Sequence, residues 1–215
     1  LVHSGVDRFF GGLFAVTHGT EPGTNHFGEG AEARFHRLIG TEIIAGRGLE
    51  PATMESLHVG CVSLSEGCFP GGRLSAKNFE KARLQVRLEL EPVRSQFRKV
   101  EPAQVAGTSG SIRAAYAVLS ALDRAPQGVT VEGLEYLIGA MISAGRIADL
   151  RLPELSGDRA EVFPGGVSIL VEVMRALGLG RMTVADGALR EGILYDMIGR
   201  LTDELIQPAF RGHVE

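Results

Sequence analysis

The 215-residue sequence has only two cysteines, no excess of basic residues and no long apolar run. Cys61 and Cys68 are seven positions apart and have no histidines at ligand spacing. This pattern disfavours a disulfide or a zinc site and predicts two reduced, packed thiols. The net charge of −4 argues against a large nucleic-acid-binding face, although a local basic cleft for a polyanion remains compatible with it.

No apolar segment reaches the roughly 20 residues that a membrane-spanning helix requires. The first ten residues, "LVHSGVDRFF", do not show the charged-then-apolar order of a signal peptide. Together these patterns predict a protein without a membrane span that resides in the cytoplasm.

Glycine, in contrast, is abundant, with 29 residues in 215. The glycines cluster in short segments such as "GTNHFGEG", "GTSGS" and "FPGG", the last of which occurs twice. Such segments allow tight turns and a close approach of the backbone to a ligand. They are typical of α/β proteins that handle phosphate.

Hydrophobic periodicity predicts alternating strands and helices from residue 41 onward. "TEIIAGRG" and "MESLHVGCVSLS" are β-rich and predict two neighbouring strands. "SAKNFEKARLQVRLELEPVRSQFRKV" predicts an amphipathic helix with Ser75 as its N-cap and a kink at Pro92. This order of elements favours an α/β layered fold.

Three further segments follow the same scheme. "TVEGLEYLIGAMISAG" predicts a helix with Thr130 as N-cap, and "SGDRAEVFPGGVSILVEVMRALGLG" predicts a long apolar helix entered through "FPGG" and closed by glycine. "RMTVADGALREGILYDMIGRL" predicts a strand, a turn and a helix. Its residues Asp186, Arg190 and Glu191 favour an N-cap with local ion pairs over a catalytic set.

The segment "GTSGSIRA" lies where a predicted strand ends and a helix begins. Backbone N–H groups and the helix dipole make such a turn a site for an oxyanion. The candidate residues that bind the anion are Gly107, Thr108, Ser109, Gly110 and Ser111. From these residues alone, a small-residue capping turn without a ligand explains the pattern equally well.

Several segments together resemble one family. "SLHVGCVSLSEGCFPGGRL", "GTSGSIRAAYAVL" and "DRAEVFPGGVSILVEVMRALGLGRMTVADGALREGILYDMIGR" occur in the order, and near the spacing, of the exopolyphosphatase/guanosine pentaphosphate phosphohydrolase family. The resemblance covers about residues 41–215. It implies an α/β, actin-like ATPase (ribonuclease H-like) fold of two domains with the site in the cleft between them. It also implies removal of terminal phosphates, usually with Mg²⁺.

The resemblance assigns roles to individual residues. "GAEARFHRLIG" is similar to the family segment that carries the proposed general base, which here is Glu32. "TEIIAGRGLEP" is similar to the end of the family's phosphate loop and makes Glu42 a ligand of Mg²⁺ that also positions the attacking water. Arg159, in "LSGDRAEVFPGG", matches an arginine that points at the phosphate chain. The residues of "GTSGS" would hold the substrate.

The family's loop sequence "DIGGGS" is missing before "TEIIAG". Residues 1–40 are therefore interpreted as an incomplete remnant of actin-like domain I, and residues 41–215 as domain II with a C-terminal helix. Either the 215-residue sequence omits mobile phosphate loops of the protein, or the protein is a truncated relative without catalysis. The first explanation is favoured because the missing pieces fall inside motifs whose flanks are recognisable. It predicts a break between Gly40 and Thr41.

The expected function is hydrolysis of terminal phosphates of inorganic polyphosphate by a cytoplasmic homodimer. Hydrolysis of guanosine pentaphosphate is an alternative in the same chemistry. A non-catalytic actin-like module that binds polyphosphate or a nucleotide is an alternative of another class. An actin-fold sugar or acetate kinase is disfavoured, since "GTSG" matches the adenosine loop of those kinases only loosely.

Overall fold

The computed structural model describes residues 11–17, 40–47, 50–99 and 104–185. All described elements belong to the first of two compact units, Leu1–Val184, and the second unit is Ala185–Glu215. The strands are β1 Gly11–Thr17, β2 Thr41–Arg47, β3 Glu50–Leu57, β4 Gln104–Gly107, β5 Val129–Thr130 and β6 Arg181–Val184. The helices are α1 Cys61–Cys68, α2 Ala76–Leu90, α3 Arg94–Phe97, α4 Gly110–Ala121, α5 Val131–Ala144 and α6 Gly157–Leu177.

The six strands form one sheet in the order β3-β2-β1-β4-β6-β5. The first three strands pair antiparallel, β4 and β6 run parallel to β1, and β5 closes the far edge antiparallel to β6. As a result, β1, β4 and β6 all end at the same edge of the sheet, and β2 starts there. The turn that follows β4 and the start of β2 therefore lie at this edge.

Gly40 leads directly into β2, so the predicted break between Gly40 and Thr41 is absent. The neighbour of β2 in the sheet is β1, Gly11–Thr17, whose residues pair one to one with those of β2. β1 also pairs with β4 and so belongs to the same sheet as the rest of the fold. The assignment of residues 1–40 to a remnant of domain I stays a prediction, because most of these residues lie outside the described ranges.

The predicted helix caps are confirmed. The Ser75 hydroxyl accepts a hydrogen bond from the Asn78 backbone N–H at 3.2 Å and begins α2. The Thr130 hydroxyl does the same for Gly133 at the start of α5, also at 3.2 Å. The predicted kink at Pro92 is instead an interruption: α2 ends at Leu90 and α3 begins at Arg94, because proline cannot donate the next helical hydrogen bond.

Two predictions of element type or boundary are wrong. The strand predicted for "MESLHVGCVSLS" ends at Leu57, and residues 61–68 form helix α1 instead. The buried residues Cys61, Leu64, Ser65 and Cys68 have helical spacing, which outweighs the β-branched content. The long helix α6 begins at Gly157 rather than at "FPGG", which therefore lies inside the helix.

α6 is the centre of the helical layer and packs against α1, α2, α4 and α5. Every residue from 163 to 174 is buried, so the helix has no solvent-facing side along this length. Glu172 is among them, and its carboxylate pairs with Arg83 at 2.6 Å and Arg87 at 3.4 Å. Such a charge is tolerated inside a protein only when it is paired.

The two cysteines are free and buried, as predicted. The Cys68 thiol donates to Gln85 Oε1 at 3.4 Å. Burial raises the pKa of the Cys68 thiol, and the positive charge of Lys81 offsets this only in part. Within the described ranges, no helix is both long and apolar enough to cross a membrane.

We expect Arg83→Ala to lower the free energy of unfolding by about 3 kcal/mol, because the buried Glu172 would lose its nearest partner. Urea denaturation at neutral pH measures this loss. The matched control is Arg94→Ala, which removes an exposed ion pair with Glu91 and should cost less than about 1 kcal/mol. Equal losses in the two variants would contradict a structural role for the Arg83–Glu172 pair.

Candidate functional site

The turn between β4 and α4 has the geometry predicted for "GTSGS". β4 ends at Gly107 and α4 begins at Gly110, with Ser109 as the N-cap. The Ser109 hydroxyl accepts a hydrogen bond from the Ile112 N–H at 3.2 Å. Helix geometry leaves the N–H groups of Gly110 and Ser111 without an intrahelical carbonyl partner. These two donors, at the positive end of the helix dipole, can hold an oxyanion.

Arg159 lies against this turn. A β-carbon added at Gly110 would be 2.5 Å from Nη1 of Arg159, 2.8 Å from Cζ and 2.9 Å from Nη2. The guanidinium therefore lies directly over the Gly110 backbone, in space that any side chain at this position would occupy. The structure thus brings together Arg159 and residues 107–111, which the sequence connects only through the family resemblance.

Thr108 contributes a buried hydroxyl at the end of β4. Its Oγ1 has no hydrogen-bond partner among the residues that the structure describes. A buried hydroxyl without a partner costs about 1–3 kcal/mol. A ligand oxygen at this turn would supply the partner that the described part of the chain does not.

Glu42 lies at the same edge of the sheet as the turn. In β2, Thr41, Ile43 and Ala45 are buried, whereas Glu42 is half-buried and points to the other face. Glu42 pairs in register with Val16 of β1, whose neighbour Ala15 pairs with Gly107. Two strand spacings therefore separate the backbones of Glu42 and the turn, which is about 10 Å.

Thr41, next to Glu42, has a structural role. Its side chain is fully buried, and its hydroxyl donates to the Val59 carbonyl at 2.8 Å. This bond ties the start of β2 to the connection between β3 and α1. It fixes the backbone at the position from which Glu42 projects.

The structure does not describe the other candidates from the sequence. Glu32, Asp186, Arg190 and Glu191 lie outside the described residues. Within the described ranges, no group of three or more His, Cys, Asp or Glu side chains is placed to hold a metal ion. Glu42 alone still fits Mg²⁺, because this ion is commonly bound by one or two carboxylates together with substrate phosphate oxygens and water.

Sequence reasoning missed the role of the second "FPGG", inside α6. The Gly165 N–H donates to the buried Ser65 Oγ at 3.0 Å, which joins α6 to α1. Gly166 faces Ser111 in the first turn of α4. The available signal was a pair of glycines after a proline within an otherwise apolar helical run, where glycine costs roughly 1 kcal/mol relative to alanine.

Solved structures share this architecture. The PPX-GPPA enzyme of Aquifex aeolicus superposes with a TM-score of 0.63 at 18% identity, over 85% of this chain and 56% of that chain. An exopolyphosphatase from Cytophaga hutchinsonii superposes with a TM-score of 0.64 at 15% identity, over 87% and 57%. These similarities confirm the α/β, actin-like fold class.

A family model described as the Ppx/GppA phosphatase family matches residues 40–201, and the chain belongs to that family. The chain is also 34% identical over 163 residues to the guanosine-5′-triphosphate,3′-diphosphate pyrophosphatase of Aeromonas hydrophila. This match covers 76% of the chain and 33% of the relative, so the chain spans about a third of that protein's length. The family resemblance seen in the sequence is therefore confirmed.

We expect Thr108→Val to separate ligand binding from folding. The ligand-free protein should be as stable as the parent or up to about 1 kcal/mol more stable, because an unpaired buried hydroxyl is removed. Its affinity for tripolyphosphate should fall about tenfold if the hydroxyl bonds the ligand. Urea denaturation and calorimetric titration measure the two effects.

The matched control is Thr108→Ser, which keeps the hydroxyl and should keep most of the affinity. If Thr108→Val destabilised the protein and left the affinity unchanged, the hydroxyl would serve the fold rather than a ligand.

Proposed function

We propose that this protein hydrolyses the terminal phosphates of inorganic polyphosphate. The observation that carries the proposal is the position of the Arg159 guanidinium over Gly110, at the N-terminus of α4. Membership of the Ppx/GppA phosphatase family supports the reaction class, hydrolysis of a phosphoanhydride bond. The named exopolyphosphatase among the structural relatives is compatible with the substrate.

The binding step follows from the chemistry of the turn. A terminal phosphate presents several anionic oxygens, to which the N–H groups of Gly110 and Ser111 would donate hydrogen bonds. The Arg159 guanidinium can bond two oxygens at once and supplies the positive charge that backbone amides lack. The Thr108 hydroxyl would bond another oxygen. The cluster therefore suits a polyanion better than a singly charged ligand.

Glu42 would hold Mg²⁺ in this proposal. When bound, Mg²⁺ would neutralise charge on the phosphoryl group that is transferred. The Glu42 carboxylate is a hard oxygen ligand of the kind this ion prefers. Its position at the same sheet edge as the turn agrees with that role.

Glu32 is proposed as the general base on the resemblance of "GAEARFHRLIG" alone. A carboxylate near anionic phosphates holds its proton more tightly and can accept one from a water molecule. The water would then attack the terminal phosphorus in line with the departing chain.

Two other functions keep specific support. Hydrolysis of the 5′ phosphate of guanosine pentaphosphate is favoured by the name of the Aeromonas hydrophila relative. A non-catalytic module that binds polyphosphate or a nucleotide is favoured by the absence of "DIGGGS" from the sequence. Phosphate release measured with polyphosphate and with guanosine pentaphosphate distinguishes all three, since the module would bind without releasing phosphate.

We expect Arg159→Ala to raise KM for polyphosphate about tenfold or more, because a charge-assisted contact with the substrate is lost. The salt dependence of KM should also become weaker, since one fewer phosphate contact is screened by added ions. Phosphate release at low and high salt measures both effects.

The control for Arg159→Ala is Arg175→Ala, which removes the same charge from the last turn of the same helix. The two positions are about 24 Å apart along α6 at roughly 1.5 Å per residue. KM should stay within about twofold of the parent in this variant. An equal rise in both variants would mean that general charge, and not the contact at Gly110, governs binding.

We expect Glu32→Gln to lower kcat about a hundredfold or more while tripolyphosphate still binds, because the amide cannot accept the proton from water. Single-turnover phosphate release and calorimetric titration check the two parts. Activity within about threefold of the parent would remove Glu32 as the base.

The homodimer and the cytoplasmic location stay predictions. Sedimentation at several protein concentrations tests the first, and cell fractionation tests the second.

A further inference from the structure

We infer that Gly166 is a positioning residue for the phosphate site, because it sets how closely α6 approaches the first turn of α4. The inference rests on the proposed function, since it concerns how Arg159 reaches that site. Gly166 has no side chain that could contact a substrate, so its role is to position Arg159 and not to bind phosphate itself.

Gly166 and Arg159 lie on the same face of α6. They are seven residues apart, which is two helical turns. Arg159 faces Gly110, and Gly166 faces Ser111, the next residue along α4. The two contacts are therefore successive points of one helix-to-helix approach.

The approach at Gly166 leaves no room for a side chain. A β-carbon there would be 2.6 Å from the Ser111 Oγ and 2.7 Å from its Cβ. The hydroxyl could rotate away, but the Cβ is fixed to the backbone of α4. Since carbon atoms pack at about 3.5–4.0 Å, any side chain at position 166 would push the two helices apart by nearly 1 Å. The guanidinium of Arg159 would then no longer rest over Gly110.

Gly165 provides a matched control in the same turn of the same helix. A β-carbon there would be 2.5 Å from Ser65 Oγ and would also overlap the Cys61 carbonyl, both in α1. Gly165→Ala therefore crowds the core at least as severely as Gly166→Ala but does so on the side facing α1 rather than α4. Both variants gain the same helix propensity.

The first measurement is binding of tripolyphosphate by the full chain. Gly166→Ala should weaken binding about tenfold, the loss expected when one charge-assisted contact fails. Gly165→Ala should stay within about twofold, although both variants should lower Tm by several degrees. The double variant Gly166→Ala/Ser111→Gly removes the two Ser111 atoms that the new methyl group would overlap, keeps the backbone N–H at position 111, and should bind more tightly than Gly166→Ala alone.

The second measurement needs no ligand. The Nε–H resonance of Arg159, identified by its loss in Arg159→Ala, should shift in Gly166→Ala and in Gly110→Ala but not in Gly165→Ala. If Gly166→Ala left this resonance and the affinity like those of Gly165→Ala, the positioning role would be overturned.

Failure of the proposed function would look different. In that case the parent would not bind tripolyphosphate, or Arg159→Ala would bind it as the parent does. The pattern of Nε–H shifts would still decide whether Gly166 positions Arg159.

Discussion

Burial of α6 on every side from residue 163 to residue 174 is the constraint on which the rest of the fold depends. A helix in this position cannot turn a polar side to water, so the charge of Glu172 has to be met by Arg83 and Arg87 of α2. The helix also needs residues without a side chain where neighbouring helices cross it closely. Gly165 is such a residue facing α1, and Gly166 is such a residue facing α4. The apolar run, the buried ion pairs and the two glycines are thus all consequences of the complete burial of α6.

The same constraint reaches the candidate site. The first turn of α6 carries Arg159, and the rest of the helix is held by four neighbours, so the direction of this turn is set by the core. The sheet contributes independently, because β1, β4 and β6 end at one edge and β2 begins there. Glu42 and the turn at residues 107–111 come from that edge. Arg159 is brought to the turn by helix packing, and the candidate site therefore needs both layers.

What could be predicted from the sequence is what local chemistry decides. Ser75 and Thr130 cap helices because the oxygen of each reaches an N–H three residues away, and this geometry needs nothing from the rest of the chain. The hydrogen bond from Gly165 to Ser65 spans 100 residues, and no local pattern encodes it. The strand β1 could not be predicted from the local sequence either, because "GGLFAVT" becomes a strand through its pairing with β2 and β4. The start of α6 was misplaced because proline and glycine normally end helices, whereas here Pro164 lies inside the helix and close packing requires Gly165 and Gly166 there.

The described residues include all the groups proposed to bind phosphate, but not all of those proposed to cleave it, because Glu32 lies outside the described ranges. The turn at residues 107–111, the Thr108 hydroxyl and Arg159 can hold an oxyanion without a metal ion or a base. Hydrolysis adds two demands: a carboxylate for Mg²⁺, which Glu42 can meet, and a base, which depends on Glu32. The phosphate loop "DIGGGS" is absent from the sequence. In the proposed function, binding and turnover therefore rest on different residues of this chain. A substitution of the base can abolish phosphate release and leave the affinity intact, so the two quantities have to be measured separately.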